Sequence, residues 1–320
     1  MRQKKKINNE IISLTCCPVC HNKLEVSNNE YVCVNNLCNI HYPTVDGIPI
    51  LLNESTSVFT FKDFTSRNTT YFYTEQKNTL RDIIFKFTPT INKNVKASEN
   101  FKNFEKLLLQ RSNRPKVLVL GGSIIGEGME SLINNDSFEM VETDISFGPR
   151  TNMICDAHEI PFEDNSFDAV IVQAVLEHLL DPYRCVEEIY RVLTVDGIVY
   201  AETPFMQQVH GGRYDFTRFT YLGHRRLFRK FEEIDSGPVC GPGMALAWSV
   251  KYFFLSFPSF RALRFFLRFF SSITTFFLKY FDTYLIDKPG TLDSASAFYF
   301  MGKKGKSILS DKDLIKRYKI

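Results

Sequence analysis

An uninterrupted apolar run, Val117-Leu118-Val119-Leu120, leads directly into a glycine-rich turn, Gly121-Gly122-Ser123-Ile124-Ile125-Gly126-Glu127-Gly128. No other feature of the 320-residue chain restricts its fold as much. A strand that is apolar at every position is buried on both faces, and such strands belong to parallel sheets covered by helices. The pattern predicts a helix to about residue 134, then strands at 139–144, 153–155, 168–173 and 198–203. Between the last two, residues 182–193 have amphipathic helical spacing, with Pro182 at the start and Asp196-Gly197 beyond the end. Two more segments, 231–234 and 297–301, complete the sheet across a long insertion at 238–296. This alternation predicts an α/β fold with a doubly wound, mostly parallel sheet of seven strands.

Composition sets further limits. With 44% hydrophobic and 23% charged residues the chain can bury a large core. Its length suggests roughly two domains. Lys and Arg number 39 against 36 Asp and Glu, a net charge of +3, which gives no global attraction to nucleic acid. Residues 1–6 are basic, but 7–15 are too polar for the apolar core of a secretory signal, and no 18-residue uncharged apolar run predicts a transmembrane helix. A cytoplasmic location is expected.

Five of the eight cysteines lie between residues 16 and 38. In a chain without an export signal this clustering points to metal rather than disulfides. Cys17-Pro18-Val19-Cys20 has the C-x2-C spacing of a zinc knuckle, and Cys33 and Cys38 form a wider C-x4-C pair. A module this short lacks the core to fold alone, so a tetrahedral zinc ion is expected on Cys17, Cys20, Cys33 and Cys38, with Cys16, His21 and His41 open as substitutes. The segment Tyr42-Pro43-Thr44-Val45-Asp46-Gly47-Ile48-Pro49, read through Leu52 with these cysteines, resembles the small Trm112-like ribbon.

A glycine-rich turn after the first strand brings backbone close to a ligand at a helix N-terminus. An acid ending the second strand, here Asp144, can accept both hydroxyls of a ribose in the crevice at the topological switch point. A tight turn without a ligand would explain the glycines alone. The longer run Asp156-Ala157-His158-Glu159-Ile160-Pro161-Phe162-Glu163-Asp164-Asn165-Ser166-Phe167-Asp168, then Val175-Leu176-Glu177-His178 and Arg191-Val192-Leu193, resembles class I S-adenosylmethionine-dependent methyltransferases of the type 11 kind over about residues 116–236. The resemblance implies a Rossmann-like sheet and S-adenosylmethionine as cofactor. By the same resemblance Gly121, Gly122 and Ser123 lie along the cofactor and Asp144 with Ile145 holds the ribose. Asp156 accepts from the adenine amino group, Ala157 lies at the base, and Gln173 flanks the methionine. Val119 stands where the family usually has an acid, and Ser123 where it has a glycine. A nicotinamide-dinucleotide fold would explain the glycine turn and Asp144, but neither Asp156 nor the last strand after a long insertion.

The organisation that follows is a ribbon at 1–55, a linker and helical cap at 56–114, and a methyltransferase domain at 115–320 carrying the insertion. Residues 101–109 of the cap have helical spacing. The loop after the fifth strand, from Glu202 to Thr220, is dense in titratable groups. It resembles the "PF…H…YDFxRFT" segment of methyltransferase-like proteins found among glycan-assembly genes. His210 is the candidate general base there, oriented by Asp215 or Glu202. The plainer alternative is a turn cap at His210 and a structural Asp215–Arg218 pair. His178 is a second candidate, against a packing role at a helix start.

Residues 251–281 hold 11 of the 30 phenylalanines. On a single helix, Arg261, Arg264, Arg268, Ser271, Ser272, Thr275 and Lys279 would share one arc of roughly 100°, opposite a broad aromatic face. That pattern suits an in-plane helix on an anionic membrane surface, serving a small-molecule, glycan or lipid-linked acceptor. Burial against the sheet or in a homodimer is the competing expectation for this segment. Methylation of ribosomal or transfer RNA, and a non-catalytic scaffold, are the alternative functions. Nucleic acid is the weaker partner, because the basic residues beside the ribbon are confined to Arg2 and Lys4-Lys5-Lys6.

Overall fold

The structure, a computed structural model, describes residues 8–27, 30–66 and 88–318. The basic start at 1–6 and part of the expected linker, 67–87, lie outside the described residues. Strands β1 (Leu24–Ser27), β2 (Glu30–Cys33) and β3 (His41–Tyr42) make a small antiparallel sheet around the cysteines. The remaining strands are β4 (Thr44–Val45), β5 (Ile48–Leu51), β6 (Lys116–Leu120), β7 (Glu139–Asp144), β8 (Met153–Cys155), β9 (Phe167–Gln173), β10 (Leu193–Pro204), β11 (Phe231–Cys240) and β12 (Ala297–Lys304). They form one sheet in the order β11-β12-β10-β9-β6-β7-β8-β5-β4.

The seven strands expected from the sequence are its first seven members. Neighbours from β10 to β8 are parallel, while β12 runs antiparallel to both β10 and β11. The count itself needs correction. β4 and β5 come from the cysteine module and extend the sheet to nine strands, with Ile50 opposite Ile154 and Leu51 opposite Cys155. Without β5, the backbone donors and acceptors of β8 would sit on an open edge. All four residues of β5 are buried, so the module is joined to the larger domain rather than strung beside it.

The helices show why the sheet is doubly wound. In β9, Val170 and Val172 face one core, with Ile189 and Val192 of helix α2 (Pro182–Val192) and with Cys17, Cys33 and Tyr42 of the cysteine module. Ala169 and Ile171 face the other core, with Phe101, Phe104 and Leu108 of helix α1 (Ala97–Leu109), as the helical spacing of 101–109 predicts. Asp181 caps α2 by accepting from the Arg184 N–H, and Pro182 occupies its first turn. Near the end of α2 the Arg191 guanidinium donates to the Ile160 and Phe162 carbonyls at 2.7 Å, pinning the segment that follows Asp156.

Helix α3 (Tyr221–Leu227) precedes β11, and the insertion follows that strand as helices α4 (Pro242–Leu255), α5 (Arg261–Thr275) and α6 (Leu278–Leu285). The single polar arc predicted for 261–279 is corrected in two ways. It is divided between α5 and α6, and its Ser271, Ser272, Thr275 and Lys279 point inward. Lys279 Nζ donates to the Thr90 carbonyl at 2.6 Å. Asp282, also buried, accepts from the N–H groups of Gly243 (2.6 Å) and Met244 (2.9 Å) and so caps α4 from α6. Asp282 thus joins two helices of the insertion and Lys279 ties it to the segment before α1, while many of its aromatic side chains are left outside.

Candidate active site

A cavity of about 590 Å³ opens at the C-terminal ends of the central strands, where a doubly wound sheet places its ligands. Gly121, Ser123, Asp144, Ile145, Asp156, Ala157, Gln173, Glu202 and His210 all line it. Gly121 has φ +73°, and an added Cβ there would fall 2.3 Å from Val175 Cγ2, so the first turn accepts no side chain. Gly122 lies behind the wall. Its N–H donates to the Thr143 carbonyl at 2.9 Å, and a Cβ would meet Glu142.

Asp144 ends β7, as predicted, and its Oδ2 accepts from the Ser123 N–H at 3.0 Å. Burial pushes its carboxyl above the ordinary range, which hydrogen bonds from Ser123, Ser146 and Ile145 oppose. Asp156 receives Ser57 Oγ at 2.6 Å on Oδ2, and the His158 N–H (3.0 Å) and His158 Nδ1 (2.5 Å) on Oδ1. Burial would raise this carboxyl, but these partners outweigh it and hold it below its usual value.

Gln173 and Glu202 form the opposite wall. Glu202 accepts from the Tyr200 hydroxyl (2.6 Å), Gln173 Nε2 (2.9 Å) and Asn94 Nδ2 (2.8 Å), and burial pushes it up to about 7. Gln173 also donates to the Glu127 carbonyl at 3.1 Å, which ties β9 to the glycine-rich loop. Its Oε1 is buried without a hydrogen-bond partner. Glu202, proposed from sequence as an orienter of His210, thus has its oxygens committed to Tyr200, Gln173 and Asn94.

At the far end of the cavity, His210 and His178 bring their rings to 5.2 Å, edge to face. Both sit above Glu177, which is fully buried, its Oε1 3.6 Å from His210 Nε2 and 3.8 Å from His178 Nε2. His178 Nδ1 donates to the Tyr214 carbonyl at 2.7 Å. Burial alone would lower the His210 imidazole, but the Glu177 carboxylate beside it raises it above its ordinary value. Asp215 shares an ion pair with Arg218 and accepts from the N–H groups of His210 (2.8 Å) and Gly211 (3.0 Å). These contacts hold its carboxyl well below the usual range although burial works against them, and its nearer oxygen is 3.7 Å from His210 Nδ1. Asp215 therefore shapes the loop, and Glu177 is the carboxylate that faces the His210 Nε2.

Two contributions escaped the sequence reading. The linker supplies Ser57 to Asp156, Asn94 to Glu202, and Phe59 against Tyr214 at a ring distance of 5.4 Å. Nothing in its composition signals this, because the contacts exist only once the linker crosses the strand ends. Glu177 was visible beside His178 in the sequence, but only the fold puts it beneath His210.

The cysteine module resolves its own ambiguity. The Sγ atoms of Cys17, Cys20, Cys33 and Cys38 all lie within 4.8 Å of one another, with Cys20–Cys33 at 3.4 Å and Cys17–Cys38 at 3.7 Å. Sulfurs bound about 2.3 Å from a tetrahedral zinc have edges of roughly 3.8 Å, so the four thiols fit that ion. Cys16 points into the core, where burial pushes it up to about 12, and His41 is exposed beside Glu30.

Residues 127–201 match the sequence family described as "Methyltransferase domain". That segment therefore carries the sequence pattern of a methyltransferase domain, set in the parallel sheet whose strand ends form the cavity. No curated protein matches the chain. Among solved structures it is similar to a putative sarcosine dimethylglycine methyltransferase from Galdieria sulphuraria, at 15% identity over 67% of this chain and 87% of that one, with TM-score 0.42. It is also similar to phosphoethanolamine N-methyltransferase 2 of Haemonchus contortus with S-adenosyl-L-methionine (16%, 73% and 62%, TM-score 0.40). A third is the complex of the Haloferax volcanii Trm112 methyltransferase activator with a putative methyltransferase (16%, 68% and 98%, TM-score 0.37). Likenesses this distant say nothing of the acceptor.

Proposed function

We propose that the protein transfers a methyl group from S-adenosylmethionine to a hydroxyl of a glycan or lipid-linked acceptor presented at an anionic membrane surface. Bound in the cavity, the cofactor would supply a methyl activated by its sulfonium. Gly121, Ser123, Asp144 and Asp156 are the residues that would hold it, with Gln173 and Glu202 at its methionine end. What is left to the protein is alignment of the acceptor and removal of its proton. The cluster of Glu177, His178 and His210 stands where that proton is handled.

The observation that carries the acceptor reading is the inside-out insertion. Phe253 (62% exposed), Phe257 (66%), Phe260 (61%), Phe266, Phe270, Phe277, Phe281 and Tyr284 (70%) lie on its surface. Two of them, Phe253 and Phe257, pack together at the end of α4 (5.2 Å), and the partly buried Phe254 meets Phe270 across α4 and α5 (5.7 Å). An aromatic surface of this extent marks an interaction site. No acid occurs between residues 236 and 281, while Lys251, Arg261, Arg264 and Arg268 do, so the local charge complements anionic headgroups. Among the described residues no helix is long and apolar enough to cross a membrane, so the reading is contact with one leaflet.

The same insertion touches the acceptor loop. Tyr252 donates to the Val209 carbonyl, Gln208 Nε2 donates to Ser249 Oγ at 3.2 Å, and the Trp248 ring lies 6.1 Å from His210. An acceptor held at the surface of α4 and α5 has a short way to the cavity. Radiolabelled methyl transfer into lipid, glycan, RNA and protein fractions of cell extract tests this directly. Label in the lipid or glycan fraction is expected, and label in RNA alone would overturn the acceptor assignment.

A further inference from the structure

Buried carboxylates are normally satisfied by hydrogen bonds, because desolvating an unpaired one is costly. Glu177 is an exception. Its side chain is wholly buried, neither carboxylate oxygen has a hydrogen-bond partner, and two imidazole nitrogens face Oε1 at 3.6 and 3.8 Å. Those distances are too long for hydrogen bonds. They suit ligands of one ion instead, since donors about 2.1 Å from a tetrahedral or octahedral centre stand roughly 3.0–3.4 Å apart, and small side-chain shifts close the difference. The three ligand atoms all lie within 4.8 Å of one another.

The supporting contacts have the same character. Metal-binding histidines usually anchor the second ring nitrogen on a carbonyl or carboxylate. Here His178 Nδ1 donates to the Tyr214 carbonyl, which puts the lone pair on the Nε2 that faces Glu177. His210 Nδ1 lies 3.3 Å from the Gln208 carbonyl and 3.7 Å from Asp215 Oδ2. Backbone fixes the carboxylate as well, since the Phe216 and Thr217 N–H groups both donate to the Glu177 carbonyl, at 2.8 and 3.2 Å. Gly211 completes the fit, because a Cβ there would lie 2.4 Å from the His178 ring.

We propose that Glu177, His178 and His210 form a binding site for one divalent first-row transition cation. Two imidazoles and one carboxylate suit Zn²⁺, Co²⁺, Mn²⁺ or Fe²⁺, and select against the all-thiolate preference of the cysteine module. Both histidines line the cavity while Glu177 lies beneath them, so the open coordination positions face the acceptor. A cation there would bind an acceptor oxygen and lower the pKa of its hydroxyl, so that the proton leaves to water as the oxygen takes the methyl group. This role rests on the methyltransferase reading, but the binding site does not.

The test uses full-length protein, desalted without chelator so that the cysteine module keeps its zinc, and titrated with Mn²⁺, a cation that thiolate sites take poorly, followed by calorimetry and electron paramagnetic resonance. One equivalent is expected to bind, and affinity is expected to fall at least tenfold in both His210→Gln and Glu177→Gln. Should Glu177→Gln fail to fold, the partly exposed His210 still decides the matter through His210→Gln. No Mn²⁺ binding, or binding unchanged in a folded variant, overturns the site. Methyl transfer that persists without any cation removes the metal's role and leaves the methyltransferase reading intact, whereas cation binding without methyl transfer to any fraction does the reverse.

Discussion

The Tyr252 hydroxyl of α4 donates to the Val209 carbonyl at 2.9 Å, so the residue next to His210 is fastened to the insertion. A direct hydrogen bond therefore links the aromatic insertion to the His210 end of the cavity. Movement of α4 on a membrane would be felt at His210, and a change at the loop would be felt by α4.

If the insertion rests on a bilayer, its outward rings carry the binding. Phe253→Ser with Phe257→Ser removes two rings of about 1.5–3 kcal/mol each when buried. Co-sedimentation with vesicles containing anionic lipid should weaken by at least about tenfold, with thermal stability little changed because both rings are exposed in the free protein. Binding that is equal with neutral and anionic vesicles, or absent in the wild type, would sink the membrane reading and favour a protein partner or a second copy.

His210 stands at the end of the cavity formed with Glu177, Asp215 and Arg218. His210→Ala should lower turnover by about 10²-fold or more while leaving S-adenosylmethionine affinity nearly intact. Calorimetry and a steady-state assay separate the two. Unchanged turnover on the true acceptor would take His210 out of the reaction.

Glu202 carries a pH dependence. Its buried carboxyl is pushed up to about 7, so it is mostly neutral at pH 6 and mostly charged at pH 8. A cationic sulfonium ligand prefers the carboxylate, so affinity for S-adenosylmethionine should rise with pH through 7, by up to about tenfold from pH 6 to 8. Glu202→Gln should flatten that profile. In the ligand-free protein the sign is opposite: a raised carboxyl contributes stability below its unfolded value, and this is lost as pH rises through about 7. The stability difference between wild type and Glu202→Gln, followed by thermal unfolding across that window, checks it independently.

Zinc removal should reach beyond the cysteine module. β5 covers the edge of β8, and Cys17, Cys33 and Tyr42 pack in the same core as Phe162 and Phe167. Chelation, verified by metal analysis, should lower the unfolding temperature of the whole chain in one transition. A separate early transition that leaves the main one unmoved would show that the module is only appended.

Much of the cofactor end was legible in sequence because it depends on local geometry. Val117 to Leu120 could only be a buried strand, Gly121 begins the turn after it, and Asp144 ends β7 at the cavity. The acceptor end was less so. His210 was found by its chemistry, but its carboxylate partner was sought at Asp215 and Glu202, because proximity in sequence favours the first and the second shares the loop. Asp215 is taken by Arg218 and two backbone N–H groups, and Glu202 by Tyr200, Gln173 and Asn94.

The sequence by itself determined the succession of strands and helices, the thiol pairs and the concentration of phenylalanine, since periodicity, spacing and composition are written along the chain. Only the tertiary structure decided that the ribbon adds strands to the main sheet, that Glu177 lies beneath two histidines, and that the Ser271-to-Lys279 half of the insertion's polar stripe faces inward. An amphipathic helix has two faces, and its sequence does not say which one meets the protein. That choice fell to Asp282 and Lys279, whose bonds to the α4 N-terminus and the Thr90 carbonyl satisfy buried polar groups and turn the aromatic face outward.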